Sequence, residues 1–147
     1  MILPHTVTVY NIVTDEDENF RSITTNYMTI LRGVLVDETK GRNVRESGLE
    51  SADAVILHIP RGVVAVNAET GKEVAYVEPM DWYNAEDKSG IWTLSVDRGT
   101  FFIKGEVVEP GMTESYINMK HSGVYTVSSV DNKDFGGLAH FEVGGKH

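Results

Sequence analysis

The alternation of hydrophobic and polar residues along this chain is typical of β-strands. Over residues 6–13 the side chains are mostly β-branched or aromatic, and successive positions point to opposite faces. One face holds Val7, Val9, Asn11 and Val13, and the other holds Thr6, Thr8, Tyr10 and Ile12. Similar patterns predict strands over 27–36, 53–59, 62–66, 73–77, 91–96, 100–108, 123–130 and 138–143. Short strands at near-regular spacing predict a mainly β fold, either a small β-barrel or a sandwich.

The segments between these strands predict turns, one short helix and one long loop. A tight turn over 68–71 would join 62–66 to 73–77 as a hairpin, because Gly71 ends it. Residues 79–87 predict a short helix with Pro79 in its first turn, and 15–22 predict a single helical turn capped by Thr14. The polar segment 37–51 has no period, so we expect a long inter-strand loop at 37–52.

Two of the predicted strands are apolar on both faces. Residues 101–103 read Phe-Phe-Ile, and alternation is equally blurred over 30–36. In the second strand we expect one face to hold Leu31, Gly33 and Leu35 and the other to hold Met28, Ile30, Val34 and Val36. Burial on both faces has two explanations, which the sequence leaves open. A helix of the same chain covers the outside of a barrel, or a partner subunit covers it.

Length and charge fit one soluble domain over 1–147. The chain has 147 residues, 13 basic and 22 acidic, which gives a formal net charge of −9. This excess of acid argues against a free-standing binder of nucleic acid or anionic membranes, since both need a basic surface. No apolar run approaches the roughly 20 residues of a membrane helix, so we expect no membrane association. The absence of cysteine excludes disulfides, thiolate zinc sites and cysteine nucleophiles.

The motifs that would indicate catalysis or cofactor binding are incomplete or missing. Asp15, Asp17 and Asn19 imitate the start of a calcium-binding loop, but Phe20 stands where glycine is needed and Asn26 where a bidentate glutamate is needed. The chain has neither the Gly-x-Ser-x-Gly motif of a serine hydrolase nor a glycine-rich phosphate loop. We therefore expect no catalytic residue, no cofactor and no enzymatic activity.

The five histidines show none of the spacings of a helical zinc site. They are His5, His58, His121, His140 and His147, and no two are four residues apart. A lone histidine on a strand is usually a packing or surface residue, so we expect no bound metal. Ligation by His5, His58 and His140 across adjacent strands, as in a metal-dependent enzyme, stays open because the sequence does not place these strands together.

Two features indicate a contact with another protein chain. The first is a basic cluster in the long loop, which holds Lys40, Arg42, Val44 and Arg45. In an acidic protein such a cluster is either a solvated face or a patch that meets an acidic neighbour, such as a second copy of the chain. The second feature is the pair Trp82 and Tyr83, residue types that are enriched at interface hot spots. We expect one of these two side chains to lie in the core, and the sequence does not decide where the other one lies.

Beyond these features, the order of several segments resembles a known family. The segments are TVTVYN at 6–11, TILRGVL at 29–35, SGLESADAV at 47–55 with Ile59-Pro60, GIWTL at 90–94, FIKGE at 102–106, VYTVSSVDN at 124–132 and HFEVGG at 140–145. Together they resemble small head–tail connector proteins of tailed phages and prophages, of the head-closure or stopper kind. Many members have Gly-Asp before the aromatic strand, where this chain has Asp97-Arg98-Gly99-Thr100.

The resemblance implies a structural virion protein rather than an enzyme. It implies a subunit that joins copies of itself in a homo-oligomeric ring at the head–tail junction, assembled in the cytoplasm of a bacterial host. The neighbours would be portal or adaptor and tail proteins, and DNA would pass without sequence-specific binding. Two alternatives stay open: a tail-completion protein on the tail side of the joint, and a soluble binding module that never enters the virion.

Overall fold

The computed structural model describes residues 3–38, 55–96, 99–109, 114–121, 123–133 and 139–146, and within them the protein is mainly β. The strands are β1 (His5–Glu16), β2 (Ser22–Asp37), β3 (Val55–Pro60), β4 (Val64–Asn67), β5 (Ala75–Tyr76), β6 (Ile91–Trp92), β7 (Thr100–Lys104), β8 (Val124–Lys133) and β9 (His140–Lys146). The helices are α1 (Pro79–Asn84) and α2 (Glu114–Lys120). The predicted fold class is confirmed, with one helix more than expected.

Six strands pair in a closed cycle. The order is β1-β7-β8-β9-β3-β2, and β2 pairs again with β1, so each of the six has a neighbour on both sides. All of these pairings are antiparallel. We call this closed sheet the barrel. Strand β4 lies outside the cycle and pairs with residues 29–32 of β2, on the edge that β3 occupies further along the strand.

A bulge in β2 decides which of its residues face the barrel interior. Gly33 adopts a φ of +86°, and the pairing with β1 skips it, because His5 lies opposite Val34 and Thr6 opposite Arg32. One extra residue shifts the alternation of faces, and glycine accepts this backbone angle without strain. Leu31, Val34 and Val36 therefore share the interior cluster. The expectation that Leu31 and Val34 lie on opposite faces was wrong.

The barrel interior contains the buried amide of Asn11 among mostly aromatic and aliphatic side chains. Val7 and Val9 point inward with Asn11, as the alternation predicted. The Asn11 amide donates to the Thr93 carbonyl at 2.9 Å and to Thr100 Oγ1 at 3.1 Å, and its Oδ1 accepts from the Thr93 backbone N–H at 3.2 Å. These bonds satisfy the buried amide and attach the segment after β6 to β1 and β7.

Helix α2 covers one outer wall of the barrel. Tyr10, Met28, Phe101, Ile103 and Val124 point outward from their strands and form a second buried cluster with Ile117 of α2. The Tyr10 and Phe101 side chains stack with ring centroids 4.7 Å apart. Of the two explanations for the apolar Phe-Phe-Ile strand, cover by a helix of the same chain is the one that the structure confirms. The segment 109–121 offers few apolar positions at helical spacing, so the alternation of residue types did not predict α2.

Two local expectations were wrong, and a third is confirmed in part. Residues 15–22 form no helical turn, because β1 and β2 continue pairing to Glu16 and Ser22 and only a tight turn remains between them. The hairpin around 68–71 is confirmed close to its turn, where Val66 pairs antiparallel with Glu73 and the Val74 N–H donates to the Ala65 carbonyl, but beyond it β5 pairs in parallel with β6. The predicted strand 100–108 ends at Lys104, because Gly105 leaves the extended conformation with a φ of +99°.

Replacing Tyr10 by phenylalanine is expected to lower the free energy of unfolding by about 1–3 kcal/mol. The Tyr10 hydroxyl donates to the Val107 carbonyl at 2.6 Å and accepts from the Glu109 backbone N–H at 2.9 Å. Without the hydroxyl, the Val107 carbonyl and the Glu109 N–H would lose their hydrogen-bond partner at a partly buried position. Urea unfolding measures the loss. The control is Tyr116→Phe, on an exposed face of α2, where we expect a change below about 0.5 kcal/mol.

Candidate functional site

Helix α1 places Trp82 in the core and Tyr83 at the surface. Pro79 begins the helix, where its fixed φ and missing N–H cost nothing. Trp82 is 1% exposed and meets Tyr27 edge-on at 5.7 Å between centroids. The Lys88 ammonium lies 5.2 Å from the Trp82 ring centroid and donates to the Ala85 carbonyl at 2.6 Å. Trp82 thus packs within its own chain, which leaves Tyr83 as the aromatic side chain of the pair that a partner can reach.

A pocket of about 400 Å³ lies beside α1. We call it the α1 pocket; its lining residues are Tyr76, Glu78, Pro79, Met80, Tyr83, Leu94, Ser95, Val96, Val130, Asn132 and Phe141. Met80 is 60% exposed. The carboxylates of Glu78 and Asp81 are exposed at the same helix. The pocket therefore joins mostly apolar lining residues to the Glu78 carboxylate, a combination that suits an apolar or basic protein segment better than an anionic ligand.

A second candidate site lies on the outer face of β3 and β9. We call it the histidine cluster; it consists of His58 of β3 with His140 and Glu142 of β9. His58 lies directly opposite Glu142 in the strand pairing, and His140 is two residues before Glu142 on the same face. The residues between them point into the barrel interior, so the three polar side chains face outward. Each is between a quarter and a third exposed.

The distances within the histidine cluster are short. Nε2 of His140 is 3.2 Å and Nδ1 of His58 is 4.0 Å from Oε1 of Glu142. The hydrogen bond with His140, helped by the charge of Lys133, holds the pKa of the Glu142 carboxyl below its ordinary value. Among the described residues, one potential ligand atom from each of these three side chains lies within 4.8 Å of the others.

The sequence identified part of the histidine cluster and missed the rest. The sequence leaves His58 and His140 as joint candidates for a metal site, and the structure places them on adjacent strands. His5 does not join them, because its Nδ1 accepts the Val36 backbone N–H at 2.9 Å elsewhere on the barrel. Glu142 was missed, although its spacing of two residues from His140 on a strand indicates a shared face.

A third group of charged side chains fixes α2 against the barrel. Oε1 of Glu109 lies 3.1 Å from Lys120 Nζ and 2.9 Å from His121 Nε2. These contacts lower the pKa of the Glu109 carboxyl, mainly through the hydrogen bond with His121, and the same carboxylate raises the pKa of the Lys120 ammonium. The group contains one histidine and links the end of α2 to the segment after β7. We interpret it as structural.

The basic cluster of the long loop lies outside the described residues. Lys40, Arg42, Val44 and Arg45 all fall between Glu38 and Val55, so their contact with a partner stays a prediction. The two ends of the loop are described: Asp37 pairs with Ile56, and Val55 pairs with Gly145 at the end of β9. The loop therefore starts and finishes at one end of the barrel. The α1 pocket lies near Phe141, toward the start of β9.

Comparison with known proteins gives a family match over almost the whole chain. A model described as "Family of unknown function (DUF6751)" matches residues 2–146. No curated protein matches the chain, and no solved structure matches it. Within the described part of the chain, neither helix has the length and apolar content needed to cross a membrane.

Proposed function

The chain belongs to this family of unknown function, DUF6751, and we propose that it is a structural subunit of a tailed phage or prophage. In this proposal it forms a homo-oligomeric ring at the head–tail interface, in the head-closure or stopper position. One observation carries the proposal. The segments that resemble connector proteins contribute to all six strands of the barrel: 6–11 to β1, 29–35 to β2, 55 and 59–60 to β3, 102–104 to β7, 124–132 to β8 and 140–145 to β9.

We propose that the contact between ring subunits joins the basic cluster in the long loop of one copy to the α1 pocket of the next. A ring requires two different surfaces that fit each other on every subunit. The basic cluster in the loop carries three cations, whereas Glu78 lines the α1 pocket and Asp81 is exposed on the same helix. Opposite charges of this kind favour the correct partner and its orientation. Tyr83 supplies an aromatic contact, which is where binding energy concentrates in interfaces.

The positions of these two surfaces on the barrel are compatible with such a contact. The loop leaves the barrel beside the end of β9, whereas the α1 pocket lies toward the start of that strand. Two patches at opposite ends of a subunit are placed where they can meet between neighbours.

The charge of the chain suits a passage for DNA. A formal net charge of −9 repels phosphates, so DNA can move past such a ring without being held. Portal or adaptor proteins on one side and tail proteins on the other would be the remaining partners. No catalytic residue and no cofactor are needed for this role.

Analysis of purified virions tests the proposal. We expect mass spectrometry to find the protein in particles and cross-linking to join it to portal or adaptor proteins. Cross-links to the tail-tube protein instead would assign it to tail completion. Its absence from particles would contradict the proposal and favour a soluble binding module.

Reversing one loop charge tests the subunit contact. We expect Arg45→Glu to reduce incorporation into particles about tenfold or more, equivalent to about 1.4 kcal/mol, as measured by quantitative mass spectrometry. Adding Asp81→Lys to this variant should restore part of the loss. The matched control is Lys72→Glu, an equal charge change in the exposed turn after β4, which should leave incorporation unchanged. An equal loss in the control would contradict the proposed contact.

A further inference from the structure

We propose that the histidine cluster binds one divalent transition-metal ion, of the zinc class, on the outer wall of the barrel. The ligands are one nitrogen each from His58 and His140 and a carboxylate oxygen of Glu142. This site is independent of the proposed connector function. The sequence left ligation by His5, His58 and His140 open and did not indicate Glu142, because the site joins two strands that lie about 80 residues apart along the chain.

The spacing of the three ligand atoms is close to what one ion requires. Nitrogen and oxygen ligands bind zinc at about 2.0–2.2 Å, so two ligands in a tetrahedral site are about 3.3 Å apart. The His140 nitrogen already lies 3.2 Å from the Glu142 oxygen. The His58 nitrogen lies 4.0 Å from the same oxygen, and all three ligand atoms lie within 4.8 Å of one another. Side-chain movements of about 0.7–1.5 Å therefore complete this arrangement.

The strands hold these ligands in place. Strands β3 and β9 pair without interruption from Val55 and Gly145 to Pro60 and His140. On the opposite face, the alternate residues Leu57, Ile59, Phe141 and Val143 are anchored in the interior cluster. Binding sites built on rigid, packed strands lose little entropy when the ligand arrives. Holding the three side chains in place for the metal ion therefore costs little entropy.

The ligand types select the class of metal. Two imidazoles with one carboxylate suit zinc and neighbouring transition metals, whereas magnesium and calcium require oxygen ligands. Three protein ligands leave at least one coordination position of a zinc ion open. That position faces outward, because the three side chains are a quarter to a third exposed. Water or a donor atom from another molecule would fill it. Lys133 lies opposite His140 on β8, and its charge helps to lower the pKa of the Glu142 carboxyl.

Calorimetric titration of the purified, untagged full chain with zinc chloride tests the proposal. We expect one zinc ion per chain and no comparable binding of magnesium chloride. The variants His58→Ala, His140→Ala and Glu142→Gln should each weaken zinc binding by about tenfold or more. Cobalt chloride provides a second readout, because bound cobalt should give visible absorption that the three variants lose.

The chain offers a matched control. His121 also contacts a glutamate, Glu109 at 2.9 Å, but no second histidine belongs to that group among the described residues. His121→Ala and His147→Ala should therefore keep the wild-type affinity for zinc. Circular dichroism checks folding, and zinc should raise the melting temperature of the wild type but not that of the His140→Ala variant. Failure to bind a stoichiometric zinc ion, or an equal loss in the His121→Ala control, would overturn the proposal.

Discussion

Replacing Phe102 by alanine is expected to lower the free energy of unfolding by about 3–5 kcal/mol. Phe102 is fully buried in the barrel interior, where its ring lies 5.5 Å from that of Tyr125 between centroids. Removing the ring leaves a cavity that closely packed strands can fill only in part. Urea unfolding followed by circular dichroism measures the loss.

A second substitution sharpens this prediction. A Cβ atom at Gly145 would lie 2.8 Å from Cζ of Phe102 and 2.9 Å from Cβ of Tyr125. Gly145→Ala alone is therefore expected to destabilise the protein by about 1–3 kcal/mol through overpacking. The double variant with Phe102→Ala should lose less free energy of unfolding than the two single losses added together, because the close contact with the Phe102 ring disappears. Strict additivity would contradict this packing of β9 against β7.

The second large effect is expected at Trp82. Replacing it by alanine should lower the free energy of unfolding by about 3–5 kcal/mol, because the indole ring is buried against Tyr27 and covered by Lys88. Loss of the ring would also loosen α1, which lines the α1 pocket. Thermal unfolding measures the destabilisation, and the fluorescence of the remaining Trp92 reports whether the barrel interior is intact.

Trp82→Phe is the matched control for this prediction. Among the described residues, nothing accepts a hydrogen bond from the buried Trp82 Nε1. An unpaired buried N–H costs about 1–3 kcal/mol, so replacing indole by phenyl removes this cost together with some contacts. We expect a change well below that of the alanine variant. If both variants lost equal stability, packing of the ring would not be the main contribution of Trp82.

The alternation of residue types predicted the strands well because the barrel separates inside from outside. Val7 and Val9 occupy the face that the pattern assigned to them. The pattern failed after Gly33, because a bulge depends on pairing with β1 and not on the local sequence. It also failed at α2, where packing of Ile117 against the barrel, rather than an apolar stripe of its own, holds the helix.

The candidate sites were predictable only to the extent that they are local in sequence. Helix α1 follows from Pro79 and its acidic first turn, so Trp82 and Tyr83 could be placed together. The histidine cluster depends on the pairing of β3 with β9, which joins residues more than 80 positions apart. No local pattern determines that register. Within the cluster, only His140 and Glu142 of β9 have a spacing, two residues along one strand, that the sequence itself indicates.

The position of β9 has a consequence for how the protein is made. β9 fills the space between β8 and β3 and is the last strand along the described chain. Until it leaves the ribosome, two strands with unpaired backbone groups stay exposed, and such edges pair readily with other chains. A barrel closed by β9 therefore completes its fold only after this strand has been synthesised. Truncation before residue 140 should yield aggregates rather than a smaller folded protein.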